Sequence, residues 1–321
     1  MWYQFVAASL VIFFSGRYLS DLADETAEIT GLSRGFIGAL LLGIITSLPE
    51  LIGTLSAVLY KSNPDLGVGN IFGSNLFNIA ILSVVILVFS SRLTNTRWQW
   101  RSNFSAYMSI SMAAFMVMII GMASADTWIG VLGSLFILGS YGVGMWVYAR
   151  QGGDEPLGSP IATVKLQRTL GKNLVLVLVT GAFVVISGVL LADACDEIAR
   201  KTDLSSTFVG SLFMAAATSL PELVVTLRLL KLGNIGMATG NIFGSNAMNL
   251  TIVAIADLTY HSSVYATITS SQVVTLGAGI LMSGLFLTGS LVKASRKVPV
   301  HMDNMAILGI YLLVYLWLYN H

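Results

Sequence analysis

Glu50 and Glu222 each close the same pentapeptide, TSLPE, at residues 46–50 and 218–222. Of the 16 acidic residues in the chain, these two fall in the middle of apolar stretches long enough to cross a bilayer. An ionised carboxylate at membrane depth costs at least ~3 kcal/mol, so it marks a functional site by default. A duplicated carboxylate with identical neighbours suggests one shared cation site. In a helix, Thr46 and Glu50 share a face, as do Thr218 and Glu222. Pro49 has no N–H for the carbonyl of Ile45, and Pro221 leaves that of Ala217 free. Freed carbonyls are tolerated at this depth where they face protein or a polar cavity. Na⁺ and Ca²⁺ are hard ions that take such oxygens as ligands.

A second duplicated motif repeats the logic with neutral groups. GNIFGSNLFN at 69–78 recurs as GNIFGSNAMN at 240–249, with eight of ten positions identical. Ser74 and Asn78 lie on one helix face, as do Ser245 and Asn249. Gly69, Gly73, Gly240 and Gly244 let another helix approach closely. The combined donors are carboxylates, hydroxyls, amides and carbonyls, without imidazole or thiolate, a set that favours a hard ion over zinc, copper or iron. Each feature also has a purely structural use. A membrane proline kinks a helix, GxxxG packs helices together, and Asn78 and Asn249 could be interhelical glue. Asp21, Asp24 and Glu25, with their counterparts at 193–197, read as solvated helix ends. Arg17, whose counterpart is Val189, is expected to snorkel. Cys195 is the only cysteine, so no intrachain disulfide forms, and His261, His301 and His321 are scattered near segment ends.

These motifs need long helices to hold them, and the composition supplies them. The chain is 55% hydrophobic and 10% charged, against roughly 25% charged in soluble domains. Apolar runs recur along the whole length, continuous rather than alternating, which predicts membrane helices and argues against a β-barrel. The expected fold is an all-α polytopic membrane protein with spans near 3–20, 35–60, 66–90, 104–122, 127–149, 172–192, 207–230, 235–258, 264–292 and 304–320. The first is read as a spanning helix rather than a cleaved signal, because no basic region precedes it. TSLPE repeats at an offset of 172 residues and GNIFGSN at 171, and the same spacing aligns Ser15, Gly16 and Leu19 with Ser187, Gly188 and Leu191. The chain therefore reads as two five-helix repeats, 1–150 and 172–321, joined by a linker at 151–171. An odd number of spans per repeat inverts the second copy, a common transporter plan with its site where the repeats meet. With both termini outside, 13 Lys and Arg fall in inner loops and three (Lys61, Arg200 and Lys201) in outer ones, as the positive-inside rule requires. The linker is then cytoplasmic.

TSLPE followed by GNxxGSNxxN, twice and in inverted halves, resembles the cation/calcium antiporter superfamily and, within it, the sodium/calcium exchanger branch of prokaryotic type. The resemblance covers the whole chain, with alpha repeats at about 35–90 and 207–258. The resemblance implies Glu50 and Glu222 as principal calcium ligands, with Thr46 and Thr218 contributing. It implies sodium sites built from the same glutamates plus Ser47, Ser74, Ser219 and Ser245, with carbonyls near Gly43 and Ala215. Asn78 and Asn249 would face the centre. Some relatives carry Asp where this chain has Asn249; the amide argues against potassium co-transport and leaves two formal charges in the site. No calcium-sensing domain of the animal type stands between the halves.

The resulting expectation is electrogenic Ca²⁺/Na⁺ antiport by alternating access in a prokaryotic inner membrane, with no cofactor. Its partners would be Ca²⁺, Na⁺ and lipid, with no obligatory protein partner. No basic run points to nucleic acid. The nearest rival is Ca²⁺/H⁺ exchange, in which the buried glutamates take up protons instead of Na⁺. A channel would want a continuous polar path, whereas the polar groups here cluster at one depth. An intramembrane hydrolase would need a nucleophile and a base, and no buried histidine is available.

Overall fold

The computed structural model describes residues 2–89, 103–123, 127–150, 169–199, 215–295 and 302–320. Expectations for the linker at 151–168, for 207–214, for His301 and His321, and for the side chains of Cys195, Asp196 and Glu197 lie outside the described residues. So do most of the basic loop residues. Among the described residues there is no strand. Nine helices among these residues are long and apolar enough to cross a membrane. In chain order the elements are α1 (Trp2–Thr30), α2 (Arg34–Tyr60), α3 (Pro64–Val88), α4 (Phe104–Ala123), α5 (Thr127–Arg150) and α6 (Leu170–Ala199). Then come α7 (Ala215–Thr218 and Leu220–Lys231), α8 (Ile235–Thr259), α9 (Ser270–Ser295) and α10 (Met302–Tyr319).

The local chemistry explains where these helices begin and end. Asn63 caps α3 by accepting the Leu66 N–H, and Asn234 caps α8 by accepting that of Met237. Both satisfy a donor that the first helical turn leaves free. Gly31 closes α1 and Gly233 closes α7, each at a positive φ that an L side chain rarely adopts.

α3 and α8, the two GNIFGSN helices, form the centre. The most apolar window of each is 78% buried, against 28% for those of α5 and α10. A helix hydrophobic all round belongs in a core. The outer helices instead turn apolar side chains outward, such as Leu132, Leu135 and Phe136 on α5 and Leu312, Leu313 and Leu316 on α10. α1 and α6 lie against each other along their length. Asn173 joins them, donating to the Leu22 carbonyl at 2.9 Å and to Thr26 Oγ1 at 2.7 Å.

Two expectations about segment ends are corrected. α1 does not stop near residue 20 but continues to Thr30, so Asp21 and Asp24 are not solvated helix ends. Asp24 is buried, paired with Arg34 and accepting from Asn234 Nδ2 at 3.1 Å. Asp21 receives two bonds from Arg228, at 2.9 and 3.1 Å. Leu19, Leu22, Ala23 and Ala27 keep this extension apolar on its inner side, and the two arginines compensate Asp21 and Asp24. The ninth span begins at Ser270 rather than 264, because Tyr265–Thr267 forms a separate 3₁₀ turn. The preceding loop folds onto Asp257, which accepts from Ser263 Oγ at 2.9 Å and from the Val264 N–H at 2.8 Å.

The Asp24 pair makes a stability prediction. Arg34→Ala strands a buried carboxylate and is expected to cost about 2 kcal/mol, less than a fully enclosed pair because both side chains keep some exposure. Thermal melting in detergent checks this, and Asp24→Asn in the same background should recover most of the loss.

Candidate cation site

The two TSLPE segments break their helices in the same way. Ser47 has φ −86° and ψ 2°, and Ser219 has φ −87° and ψ 8°, each followed by proline in the first turn of the continuing helix. A π-helical turn at Gly38–Leu42 precedes the first break, a feature common at functional sites. Each break lays a threonine, a serine and a glutamate beside one another. Thr46, Ser47, Glu50, Thr218, Ser219 and Glu222 are all fully buried, with 0% exposure.

The halves then interlock reciprocally. Thr46 Oγ1 on α2 meets Ser245 Oγ on α8 at 3.1 Å, and Ser74 Oγ on α3 meets Thr218 Oγ1 on α7 at 3.5 Å. Asn70 Nδ2 donates to Thr54 Oγ1 at 3.1 Å, and Asn241 Nδ2 to Thr226 Oγ1 at 3.2 Å. Asn75 Nδ2 donates to the Asn246 carbonyl at 3.2 Å, and Asn246 Nδ2 to the Asn75 carbonyl at 3.1 Å. Each of these three contacts has its counterpart at the repeat spacing. A contact from i to j matched by one from j to i is the mark of a two-fold relation.

At the centre the symmetry is incomplete. Ser219 Oγ donates to Glu50 Oε1 at 3.0 Å, whereas Ser47 Oγ has no hydrogen-bond partner among the described residues. Thr218 and Ser74 also flank Glu50, and Glu222 lies within electrostatic reach of it. The Thr46 and Ser245 hydroxyls are the neighbours of Glu222. Thr46 is committed to the Leu42 carbonyl at 2.9 Å, and Ser245 reaches that of Gly43 at 3.4 Å. Among the described residues, neither oxygen of Glu222, nor Glu50 Oε2, completes a hydrogen bond. Two carboxylates with three unpartnered buried oxygens repel one another and attract a cation.

The sequence-predicted residues are thus brought together. The Ala215 carbonyl accepts from the Ser219 N–H at 3.0 Å and from Thr218 Oγ1 at 3.4 Å. Asn78 and Asn249 are fully buried on the same helices as Ser74 and Ser245, and each has an unpartnered Oδ1. Sequence reasoning did not single out Asn70, Asn75, Asn241 and Asn246, or Thr54 and Thr226. The first four were visible as invariant letters of the duplicated GNIFGSN, and the two threonines as a match at an offset of 172. Among the described residues no three of His, Cys, Asp and Glu gather as a metal site. A cation between Glu50 and Glu222 would meet two carboxylates and neutral hydroxyl oxygens.

Comparison with known proteins adds to this geometry. Residues 1–149 and 172–320 match the family described as "Sodium/calcium exchanger protein". Inner membrane protein YrbG of Escherichia coli is 29% identical over 257 residues, 77% of this chain and 76% of its own. An uncharacterised membrane protein of Methanocaldococcus jannaschii is 26% identical over 253 residues, 77% of each chain. Sodium/calcium exchanger MaX1 of Methanosarcina acetivorans is 23% identical over 281 residues, 77% of this chain and 79% of its own. Among solved structures, the sodium-calcium exchanger NCX_Mj soaked with 10 mM Na⁺ superposes with a TM-score of 0.73 at 21% identity, covering 97% of this chain and 96% of that one. That likeness is one of fold.

Proposed function

We propose that this chain, which belongs to the sodium/calcium exchanger family, exports Ca²⁺ in exchange for Na⁺ through the site between Glu50 and Glu222. Membership makes it a multi-pass cation/calcium antiporter rather than an enzyme. The choice of ions, the coupling and the direction are our reading. The observation that carries it is the pair of fully buried carboxylates with three oxygens unpartnered among the described residues, flanked by the hydroxyls of Thr46, Ser74, Thr218, Ser219 and Ser245. One Ca²⁺ neutralises such a pair. Three Na⁺ in the same ligands would leave one positive charge in excess, so exchange would be electrogenic by ~2.3 kcal/mol per net charge at 100 mV. The empty site, carrying two repelling charges, is costly to carry across the bilayer. Transport should therefore proceed only when the site is loaded, which couples the two ions without a resident cofactor. We place both termini outside on the distribution of Lys and Arg, and propose a prokaryotic inner membrane on the likeness to the inner membrane protein of Escherichia coli.

Reconstitution into liposomes tests the reading. With Na⁺ inside and voltage clamped, external Ca²⁺ should accumulate, and an inside-positive potential should alter the rate. Uptake that follows a proton gradient and ignores Na⁺ would instead favour Ca²⁺/H⁺ exchange through the same glutamates.

A further inference from the structure

The amide of Asn78 or Asn249 has two chemically opposite ends, a carbonyl oxygen that attracts a cation and an NH₂ that repels it. Which end faces the site is settled by two other asparagines. The side chains of Asn75 and Asn246 each point an Nδ2 at the other's main-chain carbonyl, at 3.2 and 3.1 Å. A main-chain carbonyl only accepts, so these contacts leave no choice of amide orientation. Their Oδ1 atoms are therefore turned to accept. Asn249 Nδ2 donates to Asn75 Oδ1 at 2.9 Å, and Asn78 Nδ2 to Asn246 Oδ1 at 2.9 Å. Polarity runs outward from the two backbone acceptors and ends at Asn78 Oδ1 and Asn249 Oδ1. Those atoms are buried and have no partner among the described residues. They lie one helical turn from Ser74 and Ser245, on the faces that carry the hydroxyls of the site.

We propose that Asn75 and Asn246 are positioning residues that hold the amide oxygens of Asn78 and Asn249 towards the transported cation and turn their NH₂ groups away from it. The proposal rests on the reading of Glu50 and Glu222 as the cation site. Each asparagine of the central pair orients the ligand of the opposite repeat, so the crossing of α3 and α8 itself sets ligand polarity. An amide released from this restraint can flip, and a flipped amide presents hydrogens to the ion.

Calorimetric binding of Ca²⁺ and of Na⁺ to the purified full-length chain, together with exchange rates in liposomes, tests this. Asn75→Ser and Asn246→Ser place the hydroxyl too short to reach Asn249 or Asn78. Each should weaken cation binding about tenfold or more and raise the KM for Ca²⁺ likewise, while the rate at saturating Ca²⁺ stays within threefold. Asn75→Asp keeps the acceptor for Asn249 and should bind no worse than threefold below wild type. Asn75→Ser combined with Asn249→Asp puts oxygen at both ends of residue 249, so orientation ceases to matter and affinity should return. Unchanged affinity in both serine variants, or a double variant no tighter than its parent, overturns the proposal. If the serine variants do not fold, a tenfold loss in Asn75→Asp does so alone. Absence of Ca²⁺ and Na⁺ binding by the wild-type chain would overturn the underlying site reading, and that arm is read independently of the variants.

Discussion

Glu222→Gln is expected to reduce Ca²⁺ exchange to background while making the cation-free protein more stable. The two effects have one cause. Two ionised carboxylates buried within reach of each other destabilise the empty fold, so neutralising one relieves repulsion and desolvation together. A cation experiences the reverse. Removing one of two negative charges at ~4 Å forfeits about 4 kcal/mol of attraction per unit of cation charge at an effective dielectric of 20, so a thousandfold in affinity is roughly the least expected for Ca²⁺. Ca²⁺ should raise the melting temperature of the wild-type chain, because a ligand that binds only the folded form stabilises it, by ~2.7 kcal/mol at a hundred times Kd. The variant should melt higher than wild type without Ca²⁺ and gain nothing from its addition. Glu50→Gln should also abolish exchange, with a smaller gain in stability, since Glu50 already accepts a bond from Ser219 at 3.0 Å. Retained exchange in either variant would remove the carboxylate pair from the transport site.

Much of this architecture was legible because a membrane makes polar residues costly and therefore informative. In a soluble protein, Glu50 would have been one acidic residue among 16; inside an apolar span it stood out, and the repeat arithmetic supplied its partner. The same sensitivity misled at the end of α1. Charges at 21 and 24 looked like the helix leaving the bilayer, but Arg228 lies 207 residues from Asp21 in sequence, and no local pattern shows such a pairing. The amide relay was hidden for a different reason. Asn75 and Asn246 stand in a duplicated motif, yet composition cannot tell an asparagine that binds an ion from one that aims its neighbour. That difference lies in which carbonyl each NH₂ meets. The unequal roles of Ser47 and Ser219 were also out of reach, because the two motifs are identical letter for letter. A carrier with a two-fold related site that opens to one side at a time has to break its own symmetry, and Ser219 bonded to Glu50 beside an unpartnered Ser47 is where that break is visible.

Gly244→Ala is expected to be among the most damaging single methyl additions in the chain, although it changes neither charge nor a ligand. A Cβ at Gly244 would run into the main chain of Ala39, and one at Gly240 into the carbonyl of Gly35. From the other side, a Cβ at Gly43 would lie 2.9 Å from the carbonyl carbon of Gly244 and from the Ser245 nitrogen. Here α2 and α8 touch backbone to backbone. A crowded side chain could rotate aside, but main-chain atoms inside two helices cannot, so the helices must part. Overpacking typically costs 1–3 kcal/mol and more where nothing can yield, so a loss of about 3 kcal/mol is expected. The separation also falls on the site, since this crossing holds the Thr46 and Ser245 hydroxyls 3.1 Å apart. Cation affinity should therefore drop with stability, by about tenfold or more. Gly139→Ala supplies the contrast. It lies in α5 with nothing within 4 Å of the added carbon, and there alanine should stabilise the helix by roughly 0.5–1 kcal/mol. Melting and Ca²⁺ binding measured on the two variants side by side decide the matter. If Gly244→Ala behaves like Gly139→Ala, the close crossing of α2 and α8 is not what sets the geometry of the site.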